Sequence, residues 1–163
     1  MPGIINPSAN FSRPANTTAY ASGDLVANST TAGSVTPLSF SMTVGEYRVL
    51  RARIKRSQAT ATNASFRLHL YTSSPTLTNG DNDAWLSTES GWLGFLTTAA
   101  ANAVAFSDGG CGIAVWESNT ATAPWGVHVT TSATTLYGLL EARAAYTPAS
   151  GETFTVTLEA ERL

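Results

Sequence analysis

Apolar and polar residues alternate along most of this chain with a period of two, the period of a β-strand that buries one face. The alternation is clearest near the C-terminus, where Phe154, Val156 and Leu158 are separated by threonines. Similar patterns recur along the chain and predict eight strands. The predicted strands occupy residues 35–44, 46–57, 65–72, 92–97, 112–117, 125–131, 136–146 and 152–163.

Turn-forming residues separate these strands, most clearly in the Gly- and Asx-rich segments 76–83 and 108–110. Strands that follow one another at short intervals, without intervening amphipathic helices, favour an antiparallel arrangement. At 163 residues the chain is long enough for one such domain. We therefore predict an all-β fold, an antiparallel β-sandwich of the jelly-roll-like kind.

The N-terminal segment differs from the rest because it contains three prolines among Asn, Ser and Ala residues. Proline fixes φ and favours extended backbone at the preceding residue. We predict an extended N-terminal arm over residues 1–22, held by a partner, and a single sandwich domain over residues 23–163. An ordinary disordered terminus is the alternative. The candidate partner contacts in the arm are Ile4, Ile5, Phe11 and Arg13.

Only 12% of the residues are charged and the net charge is −2, so most of the surface relies on neutral polar side chains. Five of the nine basic residues fall between Arg48 and Arg56. Nucleic-acid binding draws on widespread positive charge, and this composition argues against it. No stretch reaches the roughly 18 apolar residues of a membrane span, and the N-terminus lacks the pattern of a secretory signal. We expect synthesis in a cytoplasm.

Within that basic segment, alternation assigns three cations to one strand face and three apolar residues, Leu50, Ala52 and Ile54, to the other. We call the three cations the basic stripe; they are Arg51, Arg53 and Lys55. Arg67 and His69 are expected beside the stripe on the next strand.

Three interpretations of the basic stripe remain open at the sequence level. A cross-strand ladder would pair it with Glu141, Glu159 or Glu161 of the same sheet. An interface would pair it with an acidic partner or a neighbouring subunit, and the excess of arginine over lysine favours planar, bidentate contacts. Nucleic acid is the third interpretation.

Few residues have the spacing of a catalytic or metal site. The loop NGDND, residues 79–83, makes Asp81 and Asp83 weak candidates for calcium, but it lacks the downstream bidentate glutamate, and an Asx-rich turn is the alternative. The two histidines and the single Cys111 have no partner motif. Asp108 and Glu117 have no identifiable acid–base partner. We predict neither enzymatic activity nor a cofactor.

The four tryptophans are the other notable feature of so small a β-rich chain. Core packing and subunit contacts are their ordinary role, but exposed rings of this kind also stack against sugars. Trp85, next to the acidic loop, is the one least expected to be buried.

Four segments resemble the corresponding parts of a family of small structural proteins of tailed phages and prophages. They are residues 11–28, 51–57 (RARIKRS), 64–82 (from ASFRLHLY to NGDN) and 136–154. The resemblance covers most of the chain and keeps the order of the segments. It implies a virion protein, specifically a capsid decoration (cement) protein, and it transfers no site residue to this sequence.

The leading hypothesis is therefore a cement protein on the exterior of a phage head. Its partners would be the major capsid protein and further copies of itself, with a trimer favoured. The alternative is a glycan- or host-binding β-sandwich module of a tail or head fibre. A polysaccharide hydrolase is a third hypothesis, which the missing acid–base pair disfavours.

Overall fold

The computed structural model describes residues 3–58, 65–97, 104–105, 112–118 and 126–163 of the chain. Its regular elements are twelve strands and one 3-10 turn, Ala32–Ser34. The strands are β1 (Ile4–Ile5), β2 (Ser8–Ser12), β3 (Leu25–Val26), β4 (Leu38–Ser41), β5 (Gly45–Arg56), β6 (Phe66–Tyr71), β7 (Trp92–Thr97), β8 (Val104–Ala105), β9 (Gly112–Ser118), β10 (Val127–Thr131), β11 (Thr135–Ala142) and β12 (Thr153–Arg162).

All strand pairs are antiparallel, and they form two layers. The centre of the front sheet is the pair formed by β12 and β5. On its other edge β12 pairs with β1 and β2, and on its other edge β5 pairs with β9 and β10. In the back sheet, β6 lies between β7 and β11, and β3 and β4 follow β11. A short pairing of β7 with β9 joins the layers along one edge. The predicted all-β antiparallel sandwich is confirmed.

The core lies between the two sheets and follows the alternation of the sequence. Inward residues of β12 (Phe154, Val156, Leu158) meet inward residues of the back sheet such as Leu68 and Leu70, and all five are fully buried. Their outward neighbours on β12 are threonines and glutamates. Burial of one face per strand is the main stabilising contribution in such a fold.

A β-bulge in β5 changes which of its residues face the core. Glu159 pairs with Arg51, but the next residue of β12, Ala160, pairs with Val49, so Leu50 is the extra residue. A bulge reverses the in–out alternation beyond it. Val49 is therefore buried and Leu50 only half-buried, and the prediction that Leu50 faces inward with Ala52 is wrong.

The N-terminal segment is extended, as the prolines predict, but the strands in it pair with β12 of the same chain. Phe11 stacks on Phe154 with ring centroids 5.4 Å apart. Arg13 donates its backbone N–H to Glu152 O, and Tyr20 is buried. The segment that was expected to be held by a partner is thus held by the chain's own front sheet.

A buried ionic cluster fixes the end of this segment. The Arg13 Nη2 and Asp81 Oδ2 atoms lie 2.8 Å apart, and neither side chain is exposed to solvent. Tyr20 accepts a hydrogen bond from Arg13 Nε and donates one to Asp81 Oδ1 (2.5 Å). The backbone N–H of Ala27 also donates to Asp81 Oδ1, at 2.8 Å. The carboxylate therefore joins the N-terminal segment, the end of β3 and the β6–β7 connection.

The β6–β7 connection, residues 72–91, folds over the outer face of the back sheet. Its tip approaches the segment after β3 so closely that a Cβ atom on Gly80 would lie 2.0 Å from the carbonyl oxygen of Thr30. Trp85 donates its backbone N–H to Gly23 O. Beneath the connection lies a second small core, formed by Leu25, Ala27, Tyr71 and Leu139. The back sheet is thus covered on both faces along part of its length.

Replacement of Asp81 by Asn should strongly destabilise the fold, because the Arg13 guanidinium would remain buried without a counter-charge. Breaking one partner of a buried ion pair costs about 3–5 kcal/mol. We expect a loss of that order in the free energy of unfolding, measured by urea denaturation. Glu159→Gln is the matched control: it makes the same acid-to-amide change in the Arg51–Glu159 pair, whose side chains are 52% and 30% exposed.

The control should lose no more than about 1 kcal/mol, as exposed pairs generally do. Equal losses for Asp81→Asn and Glu159→Gln would contradict a special role for the buried pair.

Candidate functional site

The basic stripe lies on the outer face of the front sheet. Arg51, Arg53 and Lys55 are exposed, while Ala52 and Ile54 between them are buried. This part of the predicted alternation is confirmed. The exposed side chains lie beside the outward threonines and glutamates of β12.

Only one cation of the stripe is paired with an acidic residue of β12. Arg51 Nη2 lies 2.9 Å from Glu159 Oε1. In the antiparallel register, Arg53 faces Thr157 and Lys55 faces Thr155. Among the residues that the structure describes, neither Arg53 nor Lys55 forms an ion pair. Within the described side chains, the ladder with β12 therefore neutralises Arg51 and provides no acidic partner for Arg53 or Lys55.

An open groove of about 530 Å³ runs along this face between β5 and β12. Side chains on its rim are Asn6, Arg51, Arg53, Thr157 and Glu159. The groove is open, and its described lining contains three charged residues and no aromatic one, unlike the enclosed and mainly apolar pockets that bind small organic molecules.

Arg67 and His69 are not beside the stripe. They lie on β6 in the back sheet, because β5 pairs with β9, β10 and β12 and not with β6. Glu141 lies opposite Arg67 on β11 and is likewise remote from the stripe in the sheet order. The expected proximity of these residues to the stripe is wrong; of the three proposed acidic partners, Glu159 is the one that pairs with it.

On the back sheet these three residues form a second charged cluster, which the sequence did not indicate. Glu141 Oε2 lies 2.9 Å from His69 Nε2 and 3.3 Å from Arg67 Nη1, and Arg143 Nη1 donates to Glu141 Oε1 at 2.7 Å. The side chains of His69 and Glu141 are only 4% and 7% exposed. Alternation in β6 and β11 places these residues on one face, but only the pairing of the two strands brings them together.

The hydrogen bonds of His69 define its tautomer. The indole Nε1–H of Trp92 donates to His69 Nδ1 at 3.3 Å, and an indole N–H can only donate. The ring proton of neutral His69 therefore sits on Nε2 and is donated to Glu141. Both ring nitrogens are occupied, so this histidine is not placed to accept a proton from a bound molecule.

The pKa values of this pair shift for different reasons. Burial lowers the pKa of His69 below 6.5, against the opposing influence of Glu141. Burial alone would raise the pKa of Glu141, but hydrogen bonds from His69 and Arg143, with the charge of Arg67, hold it below 4.5. At neutral pH the cluster therefore contains one carboxylate, two guanidinium groups and a neutral imidazole.

Aromatic rings surround the histidine. Trp85 stacks on His69 with ring centroids 4.0 Å apart. Phe95 lies on the same outer face of the back sheet as His69, and its ring centroid is 6.5 Å from that of Trp92. The Arg67 guanidinium carbon lies over the Phe95 ring, 4.2 Å from the ring centroid. Trp92 is 44% exposed, whereas Trp85 is half-buried beneath its own loop. The most exposed tryptophan among the described side chains is thus Trp92, not Trp85 as expected.

The remaining predicted site residues lie in several places. Arg13 and Asp81 occupy the buried cluster, so neither side chain can reach a partner or an external cation. Asp83 is exposed. Asp81 already accepts three hydrogen bonds, which disfavours calcium, and within the described ranges no three His, Cys, Asp or Glu residues form a possible metal site.

The apolar residues predicted to contact a partner through the N-terminal segment differ in burial. Ile5 and Phe11 are partly buried against the core. Ile4 is 53% exposed on β1 and is the one that a partner could contact. Asp108, Cys111 and Trp125 lie outside the residues that the structure describes.

In the described part of the chain, no helix is long and apolar enough to cross a membrane.

Comparison with known proteins finds no sequence relative and some distant structural likenesses. No protein-family model matches the sequence, and no curated protein matches it significantly. The chain is similar to a chain of the cyanophage Pam1 capsid asymmetric unit, at 11% identity and a TM-score of 0.39, over 99% of this chain and 86% of that one.

A chain of Desmodium yellow mottle tymovirus aligns at 13% identity and a TM-score of 0.30, over 99% and 87% of the two chains. A family-two carbohydrate esterase from Cellvibrio japonicus aligns at 13% identity and a TM-score of 0.16, over 91% of this chain and 36% of the esterase. At these scores the likenesses carry no argument about function.

The buried histidine should make stability depend on pH. Because the pKa of folded His69 lies below its unfolded value of about 6.5, the unfolded chain binds more protons as the pH falls through this window. The free energy of unfolding should therefore decrease on acidification from pH 7.5 to 5, by at most about 1.4 kcal/mol per pH unit from this residue. Urea denaturation across that range measures it.

The matched comparison is His69→Gln, which cannot titrate. Glu152, whose pKa burial raises, is present in both proteins, so its contribution cancels in the difference between them. As the pH falls, the free energy of unfolding should decrease more for the wild type than for His69→Gln. A difference that is constant with pH would show that the His69 pKa is unperturbed.

Proposed function

We propose that this chain is a non-enzymatic structural protein of a virion, a capsid decoration protein that binds the outer surface of a phage head. The observation that carries the proposal is the exposed basic stripe on the outer face of the front sheet. There Arg53 and Lys55 project beside threonines, in a protein with few other charges. The resemblance of four sequence segments to phage structural proteins supports the same assignment.

The groove along the stripe suits a protein partner better than a small molecule. It is open and follows two strands, so an extended acidic segment of the major capsid protein could lie along it. Arginine forms bidentate contacts with carboxylates. Complementary charge at such an interface increases the rate and specificity of docking more than it increases the affinity. Two available cations do not amount to the extended positive surface that nucleic acid requires.

The mechanism would be mechanical: each copy would bridge neighbouring capsid subunits and so resist the internal pressure of the head. A homotrimer at threefold positions would give three stripes in equivalent places. Exposed Ile4 and the outer edge of β2 could add contacts between copies or to the capsid, since an edge strand presents unpaired backbone groups. The protein would be synthesised in the host cytoplasm and located on the virion exterior.

Reversal of charge in the stripe tests this proposal. Expanded heads of the phage that carries the gene, prepared without this protein, are mixed with purified chain and sedimented. Arg53→Glu should weaken binding on the order of tenfold, because it places a carboxylate against an acidic partner. Wild-type binding should also fall as the salt concentration rises.

Arg162→Glu is the matched control, since it makes the same charge change at an exposed position at the end of β12. This variant should bind as the wild type does. Equal binding of Arg53→Glu and wild type, or no binding of the wild type to heads at all, would contradict the proposal.

Removal of residues 1–20 is not a clean test of capsid binding. It deletes β1, β2, Arg13 and Tyr20, and thereby leaves Asp81 without its counter-charge. We expect the truncated chain to unfold at a lower urea concentration than the full chain, so any loss of binding would follow from lost stability. Unchanged stability would mean that the segment contributes nothing to the fold.

A further inference from the structure

The outer face of the back sheet carries an aromatic and cationic shelf that the proposed docking of the front sheet does not use. Its members are Trp92, Phe95, Arg67 and Arg143, with Glu141 beneath them. We propose that this shelf binds an anionic glycan, an oligosaccharide whose sugars carry carboxylates. The inference does not depend on capsid decoration, because it concerns the opposite sheet.

A β-bulge creates the shelf. Gly94 pairs with Leu70 and Trp92 pairs with Tyr71, so Leu93 is the extra residue and packs against the core. Without the bulge, Trp92 and Phe95 would point to opposite faces of β7. With it, both rings lie on the outer face. In the pairing of β7 with β6, Trp92 lies opposite Tyr71 and Phe95 lies opposite His69.

The shelf is continuous along β6. Tyr71 and Arg67 are four residues apart on β6, which corresponds to about 13 Å along the strand. Over this length the ring centroids of Trp92 and Phe95 lie 6.5 Å apart, and the Arg67 guanidinium lies over the Phe95 ring, 4.2 Å from its centroid. The guanidinium therefore covers one face of Phe95, and Trp92, which is 44% exposed, is the ring on which a sugar can stack. An apolar surface at one end thus gives way to hydrogen-bond donors at the other. Sugars present the same combination, with apolar C–H faces beside polar groups.

The exposed ring is held in one orientation. Its Nε1–H donates to His69 Nδ1, and His69 is itself held between Trp85 and Glu141. A ring that is already immobilised loses little conformational entropy when a ligand stacks on it. The buried histidine therefore acts as a positioning residue for Trp92 and does not contact the ligand.

Charge favours an anionic ligand over a neutral one. Two guanidinium groups share a single carboxylate, so with His69 neutral the cluster has one excess positive charge. Arg67 and Arg143 each donate one Nη1 hydrogen bond to Glu141, which leaves further N–H groups on both. Arg67 Nε is buried and is not among the donors that a ligand can reach. The side chain of Arg143 is 37% exposed and can reach a ligand carboxylate.

Isothermal titration of the full chain tests the proposal with three probes of similar length. Oligogalacturonate and α2,8-linked oligosialate are anionic glycans, and a maltooligosaccharide is neutral. At least one anionic glycan should bind, at least about tenfold more tightly than the neutral one. Its affinity should fall with rising salt concentration.

Two variants separate the contributions of stacking and charge. Trp92→Ala should weaken binding of the anionic glycan roughly three- to tenfold, the range expected for lost ring contact. Arg143→Gln should weaken it by a similar factor and reduce the preference over the neutral oligosaccharide. Arg143 is the safer charge variant because Glu141 keeps its contacts with His69 and Arg67. Arg162→Gln, at an exposed position in the front sheet, should bind as the wild type does.

Several results would overturn the proposal. These are no binding of either anionic glycan, equal affinity for the neutral oligosaccharide, and unchanged affinity in both variants. A fourth is equally tight binding of poly-glutamate of the same charge, which would identify the face as a site for acidic peptides. Urea denaturation of each variant checks that a loss of affinity is not a loss of fold.

Discussion

The arrangement of this molecule depends on a fully buried ion pair. Arg13 and Asp81 lie 68 positions apart in the chain, and neither charge could remain in the interior without the other, because an unpaired buried charge costs several kcal/mol. Asp81 also accepts the N–H of Ala27. One carboxylate therefore fixes the N-terminal segment, the end of β3 and the β6–β7 connection relative to one another.

Among the residues that the structure describes, the two outer faces of the sandwich differ in how much of each is covered by a connection. The β6–β7 connection lies over part of the back sheet, which buries His69 under Trp85 and leaves Trp92 and Phe95 at the margin. The described part of the front sheet presents an open groove lined partly by charged residues, with Arg53 and Lys55 beside threonines. A protein with two such faces can dock through one and present the other, so the two proposals are compatible with each other.

Much of the fold was predictable from local pattern, and the errors have specific physical causes. The predicted strands over 46–57 and 152–163 correspond to β5 and β12 because alternation survives wherever one face is buried. The orientation of Leu50 was wrong because a bulge adds one residue to β5, and a period-two argument cannot detect that insertion. Arg67 and His69 were wrongly assigned to the neighbourhood of the stripe because consecutive strands were assumed to pair, whereas β9 and β7 separate β5 from β6 in the strand order.

The sequence by itself determined the all-β character of the chain, most of its strands and the exposure of the basic stripe, because these follow from the residues within one strand. It did not determine which distant residues meet. The pairing of Arg13 with Asp81, of Arg51 with Glu159, and of His69 with Glu141 and Trp92 depends on strand order and on the path of a long connection. Tertiary structure therefore decided which of the described charges neutralise one another, since electrostatic interaction depends on distance in space and on burial.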